Sequence, residues 1–180
     1  MKKVLLLLAL LTGCFSLTLQ AQTNNAEKQV SHIRSVYNQV KKEIASMKRN
    51  NPNNPYYRVH CENNAWDKPY PGSGTHISTT DYYYRLSDET RDRVLVMVIK
   101  TERVAAVKIY TEILYEDGQC IFFYENDPYE TDPEKRLYMD AFGNTIRYTE
   151  GDRKIGPTDE TKESLFKDWA KEYIDLFYLL

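Results

Sequence analysis

Residues that carry chemistry are scarce in this chain. Only three cysteines and three histidines occur among 180 residues. A zinc site needs Cys and His ligands at short, defined spacings. Cys14, Cys61, Cys120, His32, His60 and His76 are too scattered to supply one. Gly72-Ser73-Gly74 has no following lysine or helix signal, so it is no phosphate loop. A basic excess is lacking as well: the formal net charge is -2, which leaves nucleic acid no basic face. Glu125, Asp127, Glu130 and Asp132 lack the Asp-x-Asp-x-Asp-Gly order of a calcium loop. With Pro128 and Pro133 among them they read as a solvated loop. No metal and no cofactor is implied.

No apolar run is long enough to span a bilayer as a helix. The longest, Val4 to Leu11, follows Met1-Lys2-Lys3. A short cationic start and a short apolar run read as an export signal over residues 1–21. Two processing readings stand. Leu11-Thr12-Gly13-Cys14 resembles a lipobox at 11–14, which would lipidate Cys14. Phe15, Leu17 and Leu19 continue the apolar character past Cys14, which favours cleavage after Ala21 instead. The mature protein is expected to be periplasmic, anchored at the outer membrane or secreted. A lipid on Cys14 would be its only membrane contact. Residues 22–180 suit a single domain with an adequate core. Outside the cytoplasm a Cys61–Cys120 disulfide is permitted. The other reading is two small buried apolar side chains.

What the chain has in plenty is tyrosine, 15 of them, and strand-like patterning. Residues 108–115 are β-branched and aromatic, and Cys120 to Tyr124 return after Asp117-Gly118. Asp-Gly between apolar strands signals a two-residue hairpin, because a type I′ turn needs positive φ twice. Arg136 to Asp140, a turn at Ala141–Asn144, and Thr145 to Tyr148 repeat the plan. Further strands are expected at Tyr56–Glu62, Ser78–Leu86 and Arg93–Ile99. The last is apolar on both alternations and should be covered on both faces. Thr101-Glu102-Arg103 should turn the chain after it. Asn63 to Ile77 reads as a long irregular loop. Val30, Ile33, Tyr37, Val40, Ile44 and Met47 make one helical stripe from Glu27 to about Lys48. A second helix starts near Thr158 or Asp159 and shows Leu165, Phe166, Trp169, Ala170, Tyr173, Ile174 and Phe177 on one face. The fold class is α+β: an antiparallel meander of six or seven strands, with an N-terminal and a C-terminal helix packed on it.

Two constellations could carry function. An exposed aromatic platform at Trp66, Tyr70, Tyr82 and Tyr84 would suit a protein, peptide or glycan partner. A Cys61–His76 pair across the irregular loop could serve a cell-envelope hydrolase, although no flanking hydrolase motif accompanies it. Cys61 and its neighbour His60 point to opposite faces of a strand and cannot pair. The balance points to an exported, non-catalytic binding protein.

Ile33-Arg34-Ser35-Val36-Tyr37, Leu114 to Gln119 and Thr145-Ile146-Arg147-Tyr148 resemble the small exported proteins common in Bacteroidetes. A long helix with an antiparallel meander is also similar to cystatin-like and PepSY-like exported domains. Some of those bind or inhibit proteins, so the resemblance implies a binding module.

Overall fold

A computed structural model describes residues 2–47, 51–64, 67–71, 74–155 and 160–180. Its side chains are described from Asn25 onward, save those of Tyr70, Lys154, Ile155, Glu160 and Thr161. The elements run α1 (Lys2–Met47), β1 (Tyr56–Asn63), β2 (Pro69–Tyr70), β3 (Gly74–Leu86), β4 (Arg93–Val104), β5 (Val107–Glu116), β6 (Gln119–Asn126), β7 (Glu134–Met139), β8 (Thr145–Glu150), β9 (Arg153–Ile155) and α2 (Glu160–Leu179). All strands pair antiparallel in the order β1-β3-β4-β5-β6-β7-β8-β9, with β2 beside β3. Seven strands of six residues or more form the meander, and β2 and β9 are short additions. The fold is therefore the expected α+β meander between two helices. Among the described residues no helix is long and apolar enough to cross a membrane.

The two helices cover opposite faces of the sheet. Val30, Ile33, Val40 and Ile44 of α1 pack on Tyr83, Met97, Leu114, Phe122 and Tyr138. Phe166, Ala170 and Phe177 of α2 pack on Leu95, Val98, Ile113, Phe123, Leu137 and Tyr148. This explains the continuous apolar run of β4: residues 95–98 are all buried, because Leu95 and Val98 enter the core under α2 while Val96 and Met97 enter the core under α1. Leu165, expected on the packed face of α2, is instead 43% exposed.

Three register shifts depart from plain alternation. They fall at Tyr83/Tyr84, Leu114/Tyr115 and Tyr138/Met139, opposite extra residues Val96, Ile121 and Ile146 in β4, β6 and β8. All three abut one cross-strand row, Tyr83–Met97–Leu114–Phe122–Tyr138–Arg147. At each bulge two successive residues join the α1 side: Val96 with Met97, Ile121 with Phe122, and Ile146 with Arg147. Bulges bend a strand and raise its twist, so aligned bulges in alternate strands bend the sheet along one line.

The Asp117-Gly118 turn forms as its sequence requires, with φ of 49° and 79°. The second hairpin closes through Asp140, whose carboxylate accepts from the backbone N–H of Phe142 and Asn144 at 2.9 and 2.8 Å. Three expectations are corrected. Residues 101–103 do not turn: β4 runs on to Val104, and the turn is made at Ala105, with φ 53°. The helix expected from Glu27 begins at Lys2, and its backbone runs unbroken through Thr23 to Ala26. The irregular loop is shorter than expected, because Pro69-Tyr70 pairs with Gly74-Thr75 and draws the start of β3 out of it. The expected cap at Thr158 or Asp159 lies outside the described residues.

Phe123 is fully buried and stacks on Phe166 with ring centroids 4.5 Å apart. Phe123→Ala should cost about 3–5 kcal/mol in denaturant unfolding. Phe142→Ala, at a site 88% exposed, should stay within about 0.5 kcal/mol.

Candidate functional site

Glu112 lies in the middle of β5, is 2% exposed and faces α1. Burying a carboxylate is costly unless its charge is paired and its oxygens are hydrogen-bonded. Here three donors meet it. Tyr37 and Lys41, one helical turn apart on α1, and Tyr110, two residues away on β5, all donate to its oxygens. Positions i and i+4 share one helix face, and i and i+2 share one strand face. The local geometry of each element therefore aims the donors at a single point. Burial first, and then hydrogen bonding to Glu112, push the Tyr37 and Tyr110 phenols far above the ordinary tyrosine range. They stay protonated donors.

A cavity of about 430 Å³ opens beside this cluster. Phe122 and Tyr138, from the bulge row, form one wall, and Tyr37, Tyr110 and Tyr124 form others. Register accounts for this: Glu112–Tyr124–Arg136 is the cross-strand row next to Leu114–Phe122–Tyr138 on the same face. Tyr37 meets Phe122 edge-on at 5.4 Å. Two guanidiniums border the space. Arg136 sits over Tyr124, 5.2 Å from its ring centroid, and pairs with Glu134 at 2.6 Å. Arg34 sits over Tyr138 at 5.7 Å. Among the described residues Arg34 has no carboxylate partner.

The opposite face carries a matching polar row, Lys100–Thr111–Glu125–Lys135–Glu150, beneath α2. A cleft of about 520 Å³ runs along it, with Trp169 and Tyr173 in its wall. Its cations are matched within the chain. Lys135 lies 3.2 Å from Glu125 and 3.3 Å from Glu130, Lys162 lies 2.8 Å from Glu150, and Lys100 lies 2.6 Å from Glu102. Glu125 is thus not part of a solvated loop. It is the next-to-last residue of β6, is 6% exposed, and burial pushes its pKa up. Among the described residues no cluster of three His, Cys, Asp or Glu is arranged to hold a metal ion.

The residues singled out from sequence lie elsewhere. Trp66 lies outside the described residues, as do the side chains of Tyr70 and Cys14. Tyr82 is 4% exposed and stacks on Phe177 of α2, and Tyr84 packs on the same ring. They belong to the core under α2 and form no exposed platform, because β3 alternation turns both toward that helix. Cys61 pairs in register with Thr80, while His76 lies four residues further along β3. Four strand residues separate them by roughly 13 Å. His76 is engaged by Glu102, Nε2 to Oε1 2.5 Å. A Cys–His nucleophile pair is not formed. Cys61 and Cys120 are both free, on β1 and β6. Four strand spacings, roughly 19 Å, forbid a bridge.

Sequence reasoning passed over Glu112. A signal was there: one acid inside the apolar run Ile109 to Tyr115, with Tyr37-x-x-x-Lys41 on the helix stripe. A buried acid demands a cation, but nothing in one dimension says which.

No protein-family model matches the chain, and neither does any curated protein or solved structure. Function is therefore argued from the site itself.

Glu112→Leu would leave two phenols and an ammonium without their acceptor. It should destabilise the protein by about 3 kcal/mol in urea unfolding, whereas Glu116→Gln at the exposed pair with His32 should change little. A second prediction concerns pH. His60 Nδ1 lies 2.7 Å from Asp81 Oδ1, and this hydrogen bond raises the histidine pKa above 6.5. The folded state then holds the proton more tightly than the unfolded chain. Its stabilisation is complete below about 6.5 and is lost as pH climbs through the higher folded-state value. The denaturation midpoint should therefore fall as pH rises above about 6.5, by less in His60→Gln.

Proposed function

We propose that the protein is an exported, non-catalytic binding protein, and that the cavity beneath α1 receives a small ligand with a flat apolar body and a carboxylate. One observation carries this reading. Arg34, laid over Tyr138 at the rim, lacks a carboxylate partner among the described residues, while the cavity's own acid, Glu112, already has three donors. The available charged group is thus cationic. A guanidinium binds a carboxylate through two parallel hydrogen bonds, and the surrounding rings offer stacking faces. A volume of about 430 Å³ falls in the range of small-ligand pockets.

The lining contains no Ser, Thr, Cys or His. Its carboxylate and two of its phenols, Glu112, Tyr37 and Tyr110, are already bonded to one another, which leaves them poorly placed as nucleophile and base, so binding is the better supported role. The N-terminal pattern Met1-Lys2-Lys3 with Val4 to Leu11 supports export. Cys14 as a lipid anchor and cleavage after Ala21 remain the two readings of that segment.

A peptide C-terminus and an acidic sugar share the required chemistry. Calorimetric titration with an aromatic dipeptide, as free acid and as C-terminal amide, and with glucuronate beside glucose, separates them. At least one free acid should bind, and its neutral counterpart should not. Arg34→Ala should weaken that binding by about tenfold or more, since even one charge-assisted hydrogen bond is worth that much. Equal binding of acid and neutral forms would falsify the proposal, as would unchanged affinity in Arg34→Ala.

A further inference from the structure

β1 is the first strand of the sheet, and among the described residues its outer edge carries no neighbouring strand. An open edge presents a row of unpaired N–H and C=O groups, which proteins usually guard with lysine, proline or a bulge. Tyr56 to Asn63 contains neither lysine nor proline, and its register with β3 is unbroken. The guards are absent over eight residues.

The strand is also complementary to itself. Consider two copies pairing antiparallel about a two-fold axis perpendicular to the sheet. Directly opposed residues then share a face, so only residues of equal parity meet. With the axis at His60, Arg58 faces the partner's Glu62, and Glu62 faces the partner's Arg58. On the other face Val59 meets the partner's Cys61, and Tyr57 meets the partner's Asn63. Moving the axis to Val59 sets Arg58 against the partner's His60. Moving it to Cys61 sets Arg58 against the partner's Asn64. Only the His60 register gives both charges an opposite partner. The two imidazoles then face each other, each already held by Asp81 of its own chain.

A second observation lies beside the same edge. Phe177 of α2 stacks on Tyr82 and Tyr84 of β3, the strand paired with β1. Around it Leu176, Tyr178, Leu179 and Leu180 are 41%, 52%, 83% and 56% exposed. Tyr57 of β1 is 48% exposed and stacks on Tyr84. An apolar patch therefore adjoins the unguarded strand, and a symmetric partner would bring an identical patch to the same seam.

We infer that β1 is the seam of a homodimer, paired with β1 of a second copy about an axis at His60, so that the meander continues across both chains. Light scattering on a size-exclusion column, over a range of concentrations, tests this directly. The wild type should be dimeric. Arg58→Glu and Glu62→Arg should each shift it to monomer, and the double exchange should restore the dimer. Circular dichroism checks that each variant keeps its fold. Val59→Cys gives an independent reading. It places a thiol directly opposite the partner's Cys61, at a separation that a disulfide can bridge, so mild oxidation should yield a covalent dimer. A wild type that stays monomeric, charge exchanges that leave the dimer intact, or no cross-link from Val59→Cys would each overturn the inference. So would a monomer whose β1 edge instead takes up an unrelated extended peptide.

Discussion

The central strands of this protein have no solvent face, and that constraint governs the rest. β4, β5 and β6 lie between α1 and α2, so every residue along their middle must be acceptable to one apolar layer or the other. Alternation alone would share the side chains equally between the layers. The three aligned bulges change the division, each sending one extra side chain to the α1 side. A bulge leaves a residue out of the ladder and bends the strand. Repeated in alternate strands at one level, it shapes the whole sheet. The cavity lies against that same line.

Glu112 shows how such a layer accommodates charge. A carboxylate between sheet and helix is tolerable only when fully satisfied, and its partners come from both elements. Tyr37 and Lys41 tie α1 to the sheet at this point, as Arg147 with Glu27 does near β8, at 2.5 Å. Polar ties of this kind fix where a helix sits, whereas apolar packing alone tolerates sliding. On the far face, Lys162 of α2 with Glu150 of β8, and Glu163 of α2 with Thr145 of β8, do the same. The two rows sit back to back across the same strands, because Thr111 and Glu112, like Tyr124 and Glu125, are neighbours pointing opposite ways.

Local signals carried the elements that were legible. The Asp117-Gly118 turn needed no tertiary information, since its two positive φ values follow from residue type. The α1 stripe from Val30 to Met47 was readable because a period near 3.6 survives any partner. Tyr82 and Tyr84 went the other way. Together with Trp66 and Tyr70 they suggest a surface platform, yet the run Tyr82 to Tyr84 alternates, with Tyr83 under α1 and its neighbours under α2. Which face of β3 meets which helix is not a local property. The turn at Ala105 was missed for a related reason: residues 101–103 are polar, but continued pairing with Lys108, Ile109 and Tyr110 keeps them in the strand.

By itself, then, the sequence determined the α+β meander, the hairpin turns and the apolar stripes of both helices, because each follows from neighbours within a few residues. Only the tertiary structure decided that the helices take opposite faces, that the bulges line up, and that Glu112 meets Tyr37 and Lys41 from some seventy residues away. It also decided that Cys61 stays apart from both His76 and Cys120. Those outcomes depend on strand register and helix placement, and register is set by the sum of all cross-strand contacts rather than by any one of them.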